Sequence, residues 1–318
     1  MTALRAILIL ILWLAALVPL AMAQPDPHAR VGRTVADSEL PGYRFERLQV
    51  VTADGQRRYR VHLAVPRAAA PPAGYPVAYL LDGNAALMEL DADLLQRLAE
   101  SAHPPVLALI AHDNDLRIDG DARTFDYTPR RTGARGEEFD VLNAARRSGG
   151  ADAFLSFIEG QIKLAVAAKV AVDAGRQLLW GHSYGGLFAL HVLATRPAAF
   201  SDYAAVDPSL WWGEGFIVDE LESLEALAAR EPEVSARLLL IRGGPSPEAT
   251  PASSPAGPQF MREQGNAKAA ERLRKLLPAL GGLQVRQLML PGKNHGQTLG
   301  AGIAPALEAF AEERRTTP

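Results

Sequence analysis

The stretch Leu178, Leu179, Trp180, Gly181, His182, Ser183, Tyr184, Gly185, Gly186, Leu187, Phe188, Ala189, Leu190 reads as an apolar run, a tight turn and a second apolar run. The first run has strand character and the second helical character. Between them Gly181, Ser183 and Gly185 fit G-x-S-x-G, a turn in which a strand reverses sharply into a helix with a serine hydroxyl at its tip. Side chains at Gly181 and Gly185 are expected to collide with the neighbouring strand or helix, because the strained backbone passes close to both. A helix that starts directly behind Ser183 also aims N–H groups and positive dipole at any anion formed there.

The elements on either side follow an alternating plan. Tyr43 to Thr52 and Arg58 to Val65 alternate or run β-branched around Asp54 and Gly55, a hairpin signal. Tyr75 to Leu81 reads as a buried strand closed by Asp82 and Gly83. Leu87, Leu90, Leu94, Leu95 and Leu98 predict a helix over Ala85 to Ala99. Val106 to Ile110 is the next strand, followed by a helix near Phe154 to Ile162, the strand before Ser183 and the helix after it. Further strands fall at Tyr203 to Val206, Leu238 to Ile241 and Leu283 to Leu290. This pattern predicts an α/β fold: a mostly parallel central sheet with an antiparallel N-terminal hairpin and helices on both faces.

No repeat, linker or abrupt shift of composition divides the chain, so residues 42–318 read as a single domain. Two stretches depart from the regular pattern. Residues 113–150 are long, polar and rich in both charges, as a functional or disordered segment of a compact domain would be. Gly243 to Pro258 is crowded with Pro, Ser and Gly and reads as irregular.

Residues 1–23 carry one charge, Arg5, an apolar core from Ala6 to Leu20, and Ala21, Met22, Ala23 before Gln24. That is the layout of a secretory signal with an A-x-A cleavage site; left uncut, it would act as a membrane tether. Gln24 to Pro41 is a polar, irregular lead-in. The chain contains no cysteine, so a secreted form is held by its core alone, with neither disulfides nor a lipid attachment point. Its formal charge of −3 gives no electrostatic footprint for nucleic acid.

Serine needs a base, and histidine titrates in the range that suits one. Among seven histidines, His295 stands directly after the last apolar run, in Leu290-Pro-Gly-Lys-Asn-His-Gly296, which suits the chain order serine, acid, histidine. His182 reads as packed or locally hydrogen-bonded and His191 as a core histidine. His28, His62, His103 and His112 lack the pair spacing of a metal site, so neither a metal nor another cofactor is expected. The acid stays open. Glu248 is the first carboxylate after Leu238 to Ile241, Asp207 follows the preceding strand, and a dyad without a carboxylate is the third option. A tetrahedral oxyanion needs two donors, expected from the Tyr184 backbone N–H and the turn at Gly83 and Asn84.

Several short stretches then acquire a common meaning: GHSYGGL around Ser183, YLLDGNA at Tyr79 to Ala85, FDYTPR at Phe125 to Arg130, GGADAFLSFI at Gly149 to Ile158, PSLWW at Pro208 to Trp212 and GKNHG at Gly292 to Gly296. In this order, across Ala64 to Gly296, they resemble the putative-esterase family of α/β hydrolases. Within it they are most similar to siderophore esterases that cleave catecholate trilactones such as enterobactin and salmochelin. The resemblance implies a periplasmic serine esterase whose partner is a small anionic, aromatic siderophore, with ferric iron present only as part of the substrate. On this reading Arg123, Arg130 and Arg131 with Tyr127 would supply cationic forks and a stacking face, and Trp211 and Trp212 a second aromatic wall. The competing reading is a solvated, salt-bridged loop, since Asp119, Asp121 and Asp126 are interleaved with these arginines, and a core position for one tryptophan. Where family members carry a serine or other small residue before PSLWW, this chain has Asp207. A general carboxylesterase or acyltransferase on the same scaffold, and a siderophore-binding module with weak chemistry, are the alternatives. Oligomeric state is not addressed by the sequence.

Overall fold

Among the described residues, eight strands form one sheet: β1 (Tyr43–Val51), β2 (Arg58–Pro66), β3 (Tyr75–Leu80), β4 (Val106–His112), β7 (Val172–His182), β8 (Asp202–Val206), β9 (Ala236–Gly243) and β10 (Leu283–Leu290). The remaining two, β5 (Glu138–Phe139) and β6 (Arg147–Ser148), make a separate antiparallel hairpin. The structure is a computed structural model and describes residues 29–131, 133–228, 235–244, 258–280 and 282–312. The leader at 1–23 and Glu248 lie outside the described residues.

The sheet order is β1-β2-β4-β3-β7-β8-β9-β10. Strand β2 pairs antiparallel with both β1 and β4, and every later pairing is parallel. Six neighbouring strands therefore end at the same rim, where the loops that carry chemistry collect. Strand β3 is buried along its whole length because both faces are covered. Its alternate residues feed two cores: Tyr79 packs in one cluster with Leu179 and Leu240, and Ala78 and Leu80 in the other with Trp180 and Ile241.

Helices cover both faces: α1 (Gly83–Glu89), α2 (Ala92–Ala99), α3 (Gly120–Tyr127), α4 (Ala151–Phe157), α5 (Lys163–Ala167), α6 (Tyr184–Thr195), α7 (Phe216–Ala228), α8 (Pro258–Leu276), α9 (Thr298–Ala301) and α10 (Ile303–Ala311). The helix expected over Ala85 to Ala99 is two helices. Leu90 turns extended and the Asp91 carboxylate accepts the Leu94 N–H at 2.7 Å, which caps α2 and ends the run. Residues 113–150 hold α3 and the β5–β6 hairpin. The described part of the lead-in runs against this segment, with Arg30 bridging Leu116 and the Val31 N–H donating to the Asp115 carbonyl at 2.9 Å.

Candidate active site

Strand β7 ends at His182, and Ser183 takes φ 60° and ψ −116°, a conformation outside the usual wells of an L-residue, before α6 begins at Tyr184. A Cβ on Gly181 would lie 2.2 Å from the Gly185 carbonyl oxygen, so that position requires glycine. Gly185 differs from the sequence reading. A Cβ there would meet Leu81 at 3.5 Å, an ordinary contact, whereas one on Gly186 would press on Pro208 and the Val206 carbonyl at 3.1 Å. The helix thus needs its second glycine, Gly186, to lie close to the turn after β8. Among the described residues, three of the four non-glycine residues with positive φ end adjacent parallel strands: Asp82 after β3, Ser183 after β7 and Asp207 after β8. Strain of this kind costs about 1–3 kcal/mol per residue and clusters where geometry serves function.

Three side chains meet at this rim. His295 Nε2 lies 3.1 Å from Ser183 Oγ, and His295 Nδ1 lies 2.9 Å from Asp207 Oδ2. With Nδ1–H donating to the carboxylate, Nε2 is left to accept the serine hydroxyl. The acid placed first in the sequence, Glu248, is outside the described residues, and the carboxylate on the ring is that of Asp207. Its place is fixed from behind, since the Asp207 N–H donates to the Ile241 carbonyl at 2.7 Å. Burial pushes the Asp207 carboxyl up, but the hydrogen bond and charge of His295 outweigh this and hold it below the ordinary carboxylate value. The His295 side chain is 52% exposed, so its ring remains open to an incoming molecule.

This set is supported by His182, read from the sequence as packed or locally hydrogen-bonded, and by Ser209 and Thr298, which had no role there. Ser209 is buried; its Oγ lies 3.2 Å from Ser183 Oγ, and its N–H donates to the Ser183 carbonyl at 3.1 Å. Thr298 donates to the His295 carbonyl at 2.7 Å and lies 3.3 Å from Asp207 Oδ2. His182 Nε2 lies 2.8 Å from that carbonyl, and the two imidazoles sit 4.8 Å apart. Burial first, and the His295 charge second, push the His182 imidazolium far below its ordinary value, so His182 is a neutral support. The sequence signals for Ser209 and Thr298 were their positions inside PSLWW and in the run after GKNHG.

The expected oxyanion donors flank the serine. Tyr184 is the first residue of α6, where N–H groups precede the intrahelical ladder. Gly83 opens α1 on the neighbouring strand and is pressed on β4, where a Cβ would meet the Leu109 backbone at 2.5 Å. The Asn84 side chain is committed elsewhere: Nδ2 donates to the carbonyls of Asn114 and Leu116 at 2.9 and 2.8 Å, and Oδ1 lies 3.2 Å from His62 Nε2. Only the backbone of this turn is left to act as a donor.

The expected substrate contacts divide. Arg123 is 9% exposed and grips the Asp82 carboxylate with Nε and Nη2 at 3.0 and 2.9 Å, so it faces the protein interior. Tyr127 is buried among Phe154 and Phe188, and its hydroxyl accepts the Asp82 N–H at 3.1 Å. The reason is that α3 packs inward: its Asp126 is held by Tyr59 and His112 at 2.6 and 2.9 Å and by Arg57. Trp212 is 1% exposed and belongs to the core. Arg130 is exposed, with Nη2 donating to the Gly136 carbonyl at 2.7 Å. Trp211 is half-buried, its ring 5.9 Å from that of Tyr184. Among the described residues no three His, Cys, Asp or Glu side chains are placed to hold a metal, and no helix is long and apolar enough to cross a membrane.

Residues 52–273 match the family model described as "Putative esterase". The chain belongs to this esterase family. Its sequence is 36% identical over 207 residues to the apo-salmochelin esterase of Escherichia coli O6:H1, and 34% identical over 178 residues to the ferri-bacillibactin esterase BesA of Bacillus subtilis. Those stretches cover 64% and 55% of this chain and 63% and 61% of the two relatives, so the match spans less than two thirds of either relative. Among solved structures, the enterobactin hydrolase IroE in complex with DFP superposes with a TM-score of 0.69 at 29% identity, covering 88% of this chain and 99% of that one. The esterase fold accounts for the mostly parallel sheet, the antiparallel β2 and the helices on both faces.

Proposed function

We propose that this protein is a periplasmic serine esterase that hydrolyses the ester bonds of a catecholate trilactone siderophore. The observation that carries the chemistry is the chain of contacts from Ser183 Oγ through His295 to Asp207, at 3.1 and 2.9 Å. Ser183 Oγ attacks a lactone carbonyl while His295 Nε2 takes its proton, and Asp207 holds the ring and steadies the imidazolium. The Tyr184 N–H and the Gly83 turn face the oxyanion. The tetrahedral adduct collapses, the C–O bond of the ester breaks, and the leaving alkoxide takes the proton from His295. Water, deprotonated by the same imidazole, then attacks the acyl-serine and regenerates the hydroxyl.

The substrate class is supported by relatives whose names specify siderophore esters. Recognition of an anionic, aromatic molecule is supported by the exposure of Arg130 and by the half-buried Trp211 ring beside Tyr184. The periplasmic location rests on the signal-like residues 1–23, and a mature N-terminus at Gln24 by mass spectrometry would bear it out. No cofactor enters the mechanism, and ferric iron is cargo of the substrate.

Product analysis by mass spectrometry with ferric and iron-free trilactones tests the whole reading. The wild-type protein is expected to yield linear and monomeric fragments. Ser183→Ala should lose at least about 10⁴-fold in kcat while still binding the ferric complex. Normal turnover by that variant would overturn the proposal. Simple aryl esters cleaved as fast as the trilactone would point instead to a general carboxylesterase.

A further inference from the structure

Arg123 was expected to face substrate, yet its guanidinium is inside the protein and touches both sides of the reaction centre. Nε and Nη2 form a fork on Asp82, the left-handed residue directly before Gly83. Nη2 also lies 3.3 Å from the carbonyl oxygen of His182, the residue before the nucleophile. The same cation stands over the ring of Tyr184, the residue after the nucleophile, at 5.3 Å, and over Tyr127 at 5.4 Å. The Tyr127 hydroxyl in turn accepts the Asp82 N–H.

A buried ion pair is a weak source of stability, because desolvating two charges offsets most of their attraction. It does fix relative position, and a planar fork on a carboxylate fixes it in angle as well as distance. The two backbone turns it connects are those expected to supply the oxyanion donors, whose value depends on being preset to a fraction of an ångström. From this geometry we infer that Arg123 is a positioning residue, which holds the Gly83 turn in register with the Ser183 elbow and thereby shapes the oxyanion site. The inference rests on the serine-esterase reading above.

The test uses the full-length protein, a chromogenic aryl ester and phenylboronic acid, which adds to a reactive serine as a tetrahedral anion. Arg123→Lys keeps the charge and loses the fork. It should lower kcat about 10- to 100-fold with KM within about twofold, and weaken phenylboronate inhibition by a similar factor. The double variant Arg123→Met with Asp82→Asn removes both charges and keeps a side chain that tolerates the left-handed backbone. It should regain most of the thermal stability lost by Arg123→Met alone while kcat stays low. A kcat that recovers together with stability would reduce Arg123 to a structural role and overturn the inference. So would a raised KM at unchanged kcat, which marks a direct substrate contact. Ser183→Ala, assayed in parallel, separates the two ideas: if it stays active the esterase reading fails, whereas an inactive Ser183→Ala beside an unimpaired Arg123→Lys refutes the positioning role alone.

Discussion

Of the three histidines paired with carboxylates among the described residues, His112, His191 and His295, the last two make the sharper comparison, since only one of them is placed to act as a base. His295 has Asp207 on Nδ1 and Ser183 on Nε2, with half of its side chain open to solvent. His191, in the body of α6, is buried with Glu220 on Nδ1 at 2.8 Å and Asp152 facing Nε2 at 3.4 Å. Burial alone would lower the His191 imidazolium, but its two acidic partners reverse this and raise it to about 9. A buried ring facing two carboxylates keeps its proton through neutral pH, and a charged imidazolium cannot take one from a nucleophile. A carboxylate on one nitrogen orients a base; a second on the other locks a cation.

Substitutions at the two sites should separate these roles. The largest effect is expected for His295→Gln, with kcat falling about 10⁴- to 10⁶-fold and the melting temperature nearly unchanged, as the ring is half exposed. If more than about a tenth of the activity survived, the base would have to be another group. Asp207→Asn keeps a residue suited to positive φ and should lower kcat about 10²- to 10⁴-fold in steady-state assays. Full activity in that variant would mean that the Thr298 and His182 contacts orient His295 without a carboxylate. His191→Gln should leave kcat within a few-fold and act on stability instead. Since the folded-state value of about 9 exceeds the ordinary one, the His191 contribution is complete below roughly pH 6.5 and fades as pH rises through about 9. Denaturant melts at pH 7 should show a loss of about 1–3 kcal/mol, and the difference from wild type should vanish near pH 10. A constant difference at both pH values would show that packing, rather than charge, is what His191 contributes.

The strands, the elbow and His295 were legible because each follows from local pattern: apolar alternation, glycine spacing, and a histidine directly after the last strand. The acid was not. Asp207 precedes Pro208 and reads as a turn residue, and nothing local reveals that its backbone turns left-handed and aims the carboxylate at a ring 88 positions away. Arg123 was misread for a related reason. Its partner, Asp82, is 41 positions distant, while the cationic and aromatic residues of its own segment pointed to a substrate face. Trp211 and Trp212 are adjacent and chemically identical, so only the packing of the chain could separate a half-exposed ring from a core one. Long-range pairing, which sequence order hides, decided all three.

The β5–β6 hairpin is joined to the elbow by one side-chain contact of particular interest: the Tyr184 hydroxyl donates to the Asp140 carboxylate, with its two oxygens at 2.7 and 3.1 Å. Tyr184 follows Ser183, the proposed nucleophile, so this hairpin and the elbow backbone share a bolt. Anyone grafting the segment from a relative onto this fold must transplant the carboxylate and its phenol together. A chimera that carries one without the other would bury an unmatched polar group beside Ser183, and a drop in turnover there could be mistaken for a change of specificity.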